Sequence, residues 1–119
     1  MAHSTEFENL VNEAKKNISE LTVAQTLERV QAGAVVIDVR EDNEWDKGHV
    51  KDAIHLGRGI IERDIIEEIP DKESELILYC GGGFRSALSA ENLQKMGYKN
   101  VYSMAGGWRA WQDQKAPVE

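Results

Sequence analysis

Cys80 is the only cysteine in a chain of 119 residues. It closes the apolar run Leu76 to Tyr79 and is followed by Gly81, Gly82, Gly83, Phe84, Arg85 and Ser86. Three successive glycines permit positive φ and let backbone N–H groups approach a ligand with no side chain between them. The helix opening behind them adds roughly half a positive charge at its N-terminus. Arg85 adds a full charge at the rim, and its planar fork can close over an anion by bidentate contact. Ser86 can cap the helix while its hydroxyl faces the sulfur. Such a cradle favours a thiolate and any anion brought against it, which is the setting for covalent catalysis by sulfur.

A cradle of this kind needs a strand to end just before it and a helix to begin just after it. Hydrophobic periodicity supplies both. Phe7, Leu10, Val11 and Ala14 are spaced for one face of a first helix. Ile18 to Leu21 reads as a short strand, and Thr22-Val-Ala-Gln25 has the spacing of a capping box that opens a helix through Val30, stopped by Gly33. Ala34 to Val39 is rich in β-branched residues and reads as a buried strand, with a short helix over Glu41 to Asp46. Ala53 to Leu56 suits another strand, and Ile60 to Ile69 a helix before the Pro70-Asp71 turn. Leu76 to Tyr79 makes the strand before Cys80, Ser86 to Met96 a helix ended by Gly97, and Val101-Tyr102 a last strand. Trp108 and Trp111, three apart after Gly106-Gly107, are placed to anchor a final helix on the core. Strands alternating with helices predict an α/β fold with a parallel sheet covered on both faces. In such sheets, ligands bind at the carboxyl ends of the strands, where Cys80 stands.

Composition narrows the function classes. With 14 basic against 21 acidic residues the formal net charge is −7, which argues against general affinity for nucleic acid or an anionic membrane. A single cysteine forms no internal disulfide and fits a reducing compartment. The start, MAHSTEFENLVNEAKKN, shows no basic segment leading into an apolar core, and nowhere do about 18 apolar residues run together, so a soluble cytoplasmic protein is expected. His49 and His55 are not spaced with Cys80 as a metal site, and packing or hydrogen bonding is expected of them. One compact domain fits the length, with no repeat or linker.

The segment "CGGGFRS", with "VVIDVRE" and "EWDKGHVKDAIHL" before it and "MGYKNVYSMAGGWRAW" after it, resembles a single-domain rhodanese of the thiosulfate sulfurtransferase type. The resemblance runs from about residue 18 onward, which divides the chain into an N-terminal helical extension, 1–17, and a rhodanese domain, 18–119. It implies a rhodanese-like fold, a five-stranded parallel sheet flanked by helices on both faces. It also implies a mechanism: Cys80 takes the outer sulfur of a donor such as thiosulfate as a persulfide and passes it to cyanide or a thiol. The amides of Gly81 to Ser86 would hold the negative sulfur in the manner of an oxyanion hole. No metal or organic cofactor is implied.

Further roles come with the same resemblance. Asp38 and Arg40 would support the active loop through polar contacts, the alternative being a weak surface pair. Arg58, in the Gly57-Arg-Gly loop, is a candidate for the sulfonate end of thiosulfate, with a solvated loop arginine as the alternative. Four residues separate Cys80 from Arg85, whereas the similar cell-cycle phosphatases and arsenate reductases carry five, a wider ring suited to a tetrahedral oxyanion. Sulfur transfer is therefore favoured over ester hydrolysis. Two classes remain: an enzyme turning over a small sulfur donor, and a persulfide carrier serving a protein acceptor or thioredoxin.

Overall fold

A computed structural model describes residues 3–119. The first two positions of the 1–17 extension lie outside the described residues. Among the described residues, six helices and five strands alternate: α1 Thr5–Lys15, β1 Ser19–Leu21, α2 Val23–Gln31, β2 Val35–Asp38, α3 Asp42–Asp46, β3 Ile54–His55, α4 Ile61–Glu68, β4 Glu75–Tyr79, α5 Phe84–Lys95, β5 Asn100–Met104 and α6 Gly107–Asp113. All neighbouring strands are parallel, in the order β1-β5-β4-β2-β3.

Strand alternation sorts the core into two layers. Leu76 and Leu78 of β4 face Ile61 and Ile65 of α4 and Ala90 and Leu93 of α5. Ile77 and Tyr79 face the opposite side, with Val23 of α2 and Trp111 of α6. The sheet is thus covered on both faces, as the alternating pattern predicts. Helix α1 packs outside this sandwich, burying Val11 and Ala14 against Ala87 and Leu88 of α5. Leu10, read as part of that apolar face, is instead 56% exposed. Thr22 and Gln25 form the expected capping box, Gln25 N donating to Thr22 Oγ1 at 3.1 Å and Thr22 N to Gln25 Oε1 at 2.9 Å.

Two boundaries near Cys80 differ from the sequence reading. Helix α5 starts at Phe84 rather than Ser86, because Gly83 takes φ +100° and turns the chain within one residue. Strand β5 continues through Ser103 and Met104, both fully buried, where an ambiguous Ser-Met pair conceals the strand.

From β2 the chain moves outward through α3 to the edge strand β3, and from β4 it moves the other way through α5 to β5. The connections diverge between β2 and β4, so a crevice opens at the carboxyl ends of these two strands. Cys80 follows β4 and Arg40 follows β2 at that crevice.

Candidate active site

Cys80 continues the Leu76 and Leu78 row and is 1% exposed. Its Sγ is the focus of two amide donors and one hydroxyl. Gly83 N donates at 3.1 Å and Ser86 N at 3.4 Å, and Ser86 Oγ lies at 3.5 Å. Ser86 Oγ is also 2.8 Å from Ser103 Oγ, so two buried hydroxyls run in series to the sulfur. The amides of Gly81, Gly82, Phe84 and Arg85 have no hydrogen-bond partner among the described residues.

The loop is shaped from behind by α6. Trp108 N donates to Cys80 O at 2.7 Å and Arg109 N donates to Gly81 O at 3.2 Å. In a trans peptide the C=O and the following N–H point opposite ways. Drawing these two carbonyls onto α6 therefore turns the Gly81 and Gly82 amides away from it. Contact this close requires glycine at position 107, where a Cβ would overlap the Cys80 carbonyl oxygen and stand 2.9 Å from Gly81 C.

Tyr79 fixes the other side of the strand end. Its hydroxyl donates to Asp38 Oδ2 and accepts from Val50 N at 3.0 Å. Asp38 is fully buried and takes Arg40 Nε at 3.1 Å, Arg40 Nη2 at 2.8 Å and Arg40 N at 2.8 Å. Arg40 Nη2 also donates to Gly48 O at 2.7 Å, and the guanidinium lies 4.8 Å from the Trp108 ring centre. Burial, joined by the hydrogen bond to Asp38, pushes the Tyr79 hydroxyl far above its ordinary range and keeps it protonated.

In front of the sulfur is a cleft of about 610 Å³ lined by His3, Phe7, Glu44, Cys80, Gly81, Gly82, Phe84, Arg85 and Arg109. Glu44 of α3 meets Arg85 through two parallel bonds, Nη1 to Oε1 at 2.7 Å and Nη2 to Oε2 at 3.1 Å. Glu41 N donates to the same Oε1 at 3.0 Å and holds the carboxylate in place. The hydrogen bond from Arg85 outweighs partial burial and lowers the Glu44 carboxyl to about 2. The opposite wall is aromatic: His3 and Phe84 ring centres are 4.6 Å apart, and Phe7 and Phe84 6.1 Å.

The rhodanese-like domain family matches residues 22–114. The chain belongs to the rhodanese-like family. This rhodanese is 34% identical over 103 residues to the thiosulfate sulfurtransferase GlpE of Haemophilus influenzae, spanning 87% of this chain and 96% of that protein. It is similar to a solved Rhodopseudomonas palustris protein of unknown function, described as a possible tyrosine phosphatase, with 30% identity, TM-score 0.82, and coverage of 100% of this chain and 99% of the other. It is also similar to the polysulfide-sulfur transferase homodimer of Wolinella succinogenes, with 25% identity, TM-score 0.81, and coverage of 96% and 87%.

Within this rhodanese, the structure gathers Cys80, the Gly81 to Ser86 loop and Arg85 around one cleft. Asp38 and Arg40 lie behind it and reach the loop through Tyr79 and Trp108. Arg58 opens onto a neighbouring cleft with Glu41, Gly59, Glu62, Arg85 and Asn92, and does not line the one in front of Cys80. His49 stacks on Trp45 with ring centres 3.4 Å apart, and His55 Nε2 pairs with Arg40 O at 2.8 Å. Glu44, Ser103, Gly107, Arg109, His3 and Phe7 were not singled out as site residues by sequence reasoning. For Gly107 a signal existed, since the Gly106-Gly107 doublet marks close backbone approach as clearly as the triple glycine does. Glu44 is concealed in the acidic run Glu41 to Asp46, and Arg109 beside Trp108.

Proposed function

We propose that this rhodanese is a sulfurtransferase that carries sulfane sulfur on Cys80. The observation behind this reading is the convergence of the Gly83 and Ser86 amides and the Ser86 hydroxyl on a sulfur at the back of an open cleft. With thiosulfate as donor, the Cys80 thiolate attacks the outer sulfur and the sulfur–sulfur bond of the donor breaks. Its electron pair leaves with sulfite, and Cys80 is left as an anionic persulfide. Cyanide or a thiol then takes the terminal sulfur and the thiolate returns. Atoms and charges balance without a metal or organic cofactor. The amides of Gly81, Gly82, Phe84 and Arg85, without a partner among the described residues, are the donors available to the added sulfur. A lone thiol of this kind suits the reducing cytoplasm.

A carrier that loads from a protein donor and unloads to a protein acceptor, thioredoxin included, would use the same cradle. Turnover separates the two: an enzyme cycles thiosulfate and cyanide rapidly, whereas a carrier loads stoichiometrically and cycles slowly. The description of one similar structure as a possible tyrosine phosphatase favours a second reading. The four-residue spacing between Cys80 and Arg85 stands against it, because the loop closes around a single sulfur.

Incubation with excess thiosulfate should add one sulfur atom to the mass, reversibly with reductant, and Cys80→Ser should abolish the gain. Sulfur uptake by the serine variant, or turnover of an aryl phosphate with no sulfur uptake by the parent, would overturn the reading.

A further inference from the structure

A dianionic donor must place its sulfonate end somewhere while its outer sulfur meets Cys80. Loop arginines are the expected partners, and Arg85 and Arg58 are the two that sequence reasoning offers. Both are compromised by geometry. Two of the five N–H donors of Arg85 are taken by the two oxygens of Glu44, and that carboxylate offsets the charge Arg85 brings to Cys80. Arg58 lines a different cleft, in the company of the Glu41 and Glu62 carboxylates.

Arg109 is placed differently. Its backbone N–H is fixed to Gly81 O at 3.2 Å, so the residue starts one hydrogen bond from the catalytic loop. Its side chain is exposed, lines the same cleft as Cys80, and makes no ion pair or side-chain hydrogen bond among the described residues. Among the described residues of that cleft, Arg85 is paired with Glu44, and Arg109 is the guanidinium with its donors uncommitted.

Resting on the sulfur-transfer reading above, we propose that Arg109 is the residue that grips the anionic group of the sulfur donor, while Arg85 serves to lock α5 to α3. In the donor half-reaction negative charge moves onto the departing sulfite. A guanidinium held against that group stabilises it as it leaves, and discharge of the persulfide to a neutral thiol needs no such contact. The arrangement sets specificity: donors bearing a sulfonate or carboxylate are selected over neutral ones of similar size.

The test separates the two half-reactions. Sulfur loading of Cys80 is followed by mass against thiosulfate concentration. The desalted persulfide is then stripped with dithiothreitol, which provides an internal standard. In Arg109→Ala the thiosulfate concentration for half-maximal loading should rise about 10-fold or more, the size of a lost charge-assisted contact. Arg109→Glu should raise it further, and Arg109→Lys should recover part of the loss, since an ammonium lacks the fork. The ratio of loading to stripping rate should fall in the same order. The Arg109 amide bond to Gly81 survives each substitution, and thermal unfolding checks that the fold does too. A parent that loads, together with Arg109 variants of parental half-saturation or a selective rise in Arg85→Ala instead, overturns the assignment of Arg109 alone. A parent that takes no sulfur from thiosulfate overturns the sulfur-transfer reading and this proposal with it.

Discussion

Glu44 and Arg85 are 41 positions apart in sequence and face each other fork to fork, Nη1 to Oε1 at 2.7 Å and Nη2 to Oε2 at 3.1 Å. The pair joins α3 to the first turn of α5, and so ties the connection that leaves β2 to the loop that leaves β4. Neither group is more than about a third exposed. The pair therefore acts as a strut across the crevice mouth.

The strut titrates. Glu44 is held below its ordinary value of 4.5, at about 2, chiefly by the hydrogen bond from Arg85. A lowered carboxylate contributes stability that is complete above its unfolded-state value and is lost as pH falls through the folded one. Glu44→Gln should be less stable than the parent by a constant margin above about pH 5, and the margin should close as pH falls toward about 2. Denaturant midpoints across that range check this, and a margin that persists unchanged at the acid end would refute it.

Gly107→Ala tests the backing of the loop. A Cβ there meets the Cys80 carbonyl, so α6 must move outward and release the Gly81 and Gly82 amides from their orientation. Overpacking should cost about 1–3 kcal/mol of stability. Sulfur loading should fall about 100-fold or more, as expected for displaced reacting groups. Parental kinetics in a folded Ala variant would show that α6 does not shape the cradle.

Ser103→Ala tests the hydroxyl series. A thiolate only accepts, so Ser86 O–H donates to Sγ and Ser86 Oγ in turn accepts from Ser103 O–H at 2.8 Å. Removing Ser103 weakens the Ser86 donor through the chain. The loading rate should drop by about 3- to 10-fold, equivalent to about 1 kcal/mol, with half-saturation for thiosulfate little changed. A shift in half-saturation with no change in rate would place Ser103 outside the chemistry.

Ser89→Ala concerns stability. Ser89 is fully buried on α5 and its Oγ has no partner among the described residues. Deleting an unsatisfied hydroxyl should raise stability by about 1 kcal/mol, read as a higher unfolding midpoint with an unchanged denaturant slope. A lower midpoint would mean that the hydroxyl is satisfied in solution.

Much of this was legible in the sequence because it is local. Apolar β4 ending at Cys80, the triple glycine and the capping box at Thr22 each lie within a few consecutive residues, and their physics needs no knowledge of the fold. The pairing of Glu44 with Arg85, the seating of Arg109 on Gly81 and the series Ser103–Ser86–Cys80 are products of strand order. Only once β5 and β2 flank β4 do these residues become neighbours. Asp38 is intermediate: its place at the end of β2 is readable, but its partnership with Tyr79 requires the β2–β4 register, in which the two are directly paired. His3 and Phe7 reach the cleft because α1 docks on α5, a packing choice that one amphipathic stripe does not specify.

Cys80 has no second thiol anywhere in the chain. If Cys80 carries sulfur as proposed, that sulfur meets no second thiol of the same molecule with which to form a disulfide. Its residence would then depend on acceptors from outside, and the loaded fraction would follow the balance of donor and acceptor around the protein. On that reading the chain would behave as a gauge of available sulfur as well as a conduit for it.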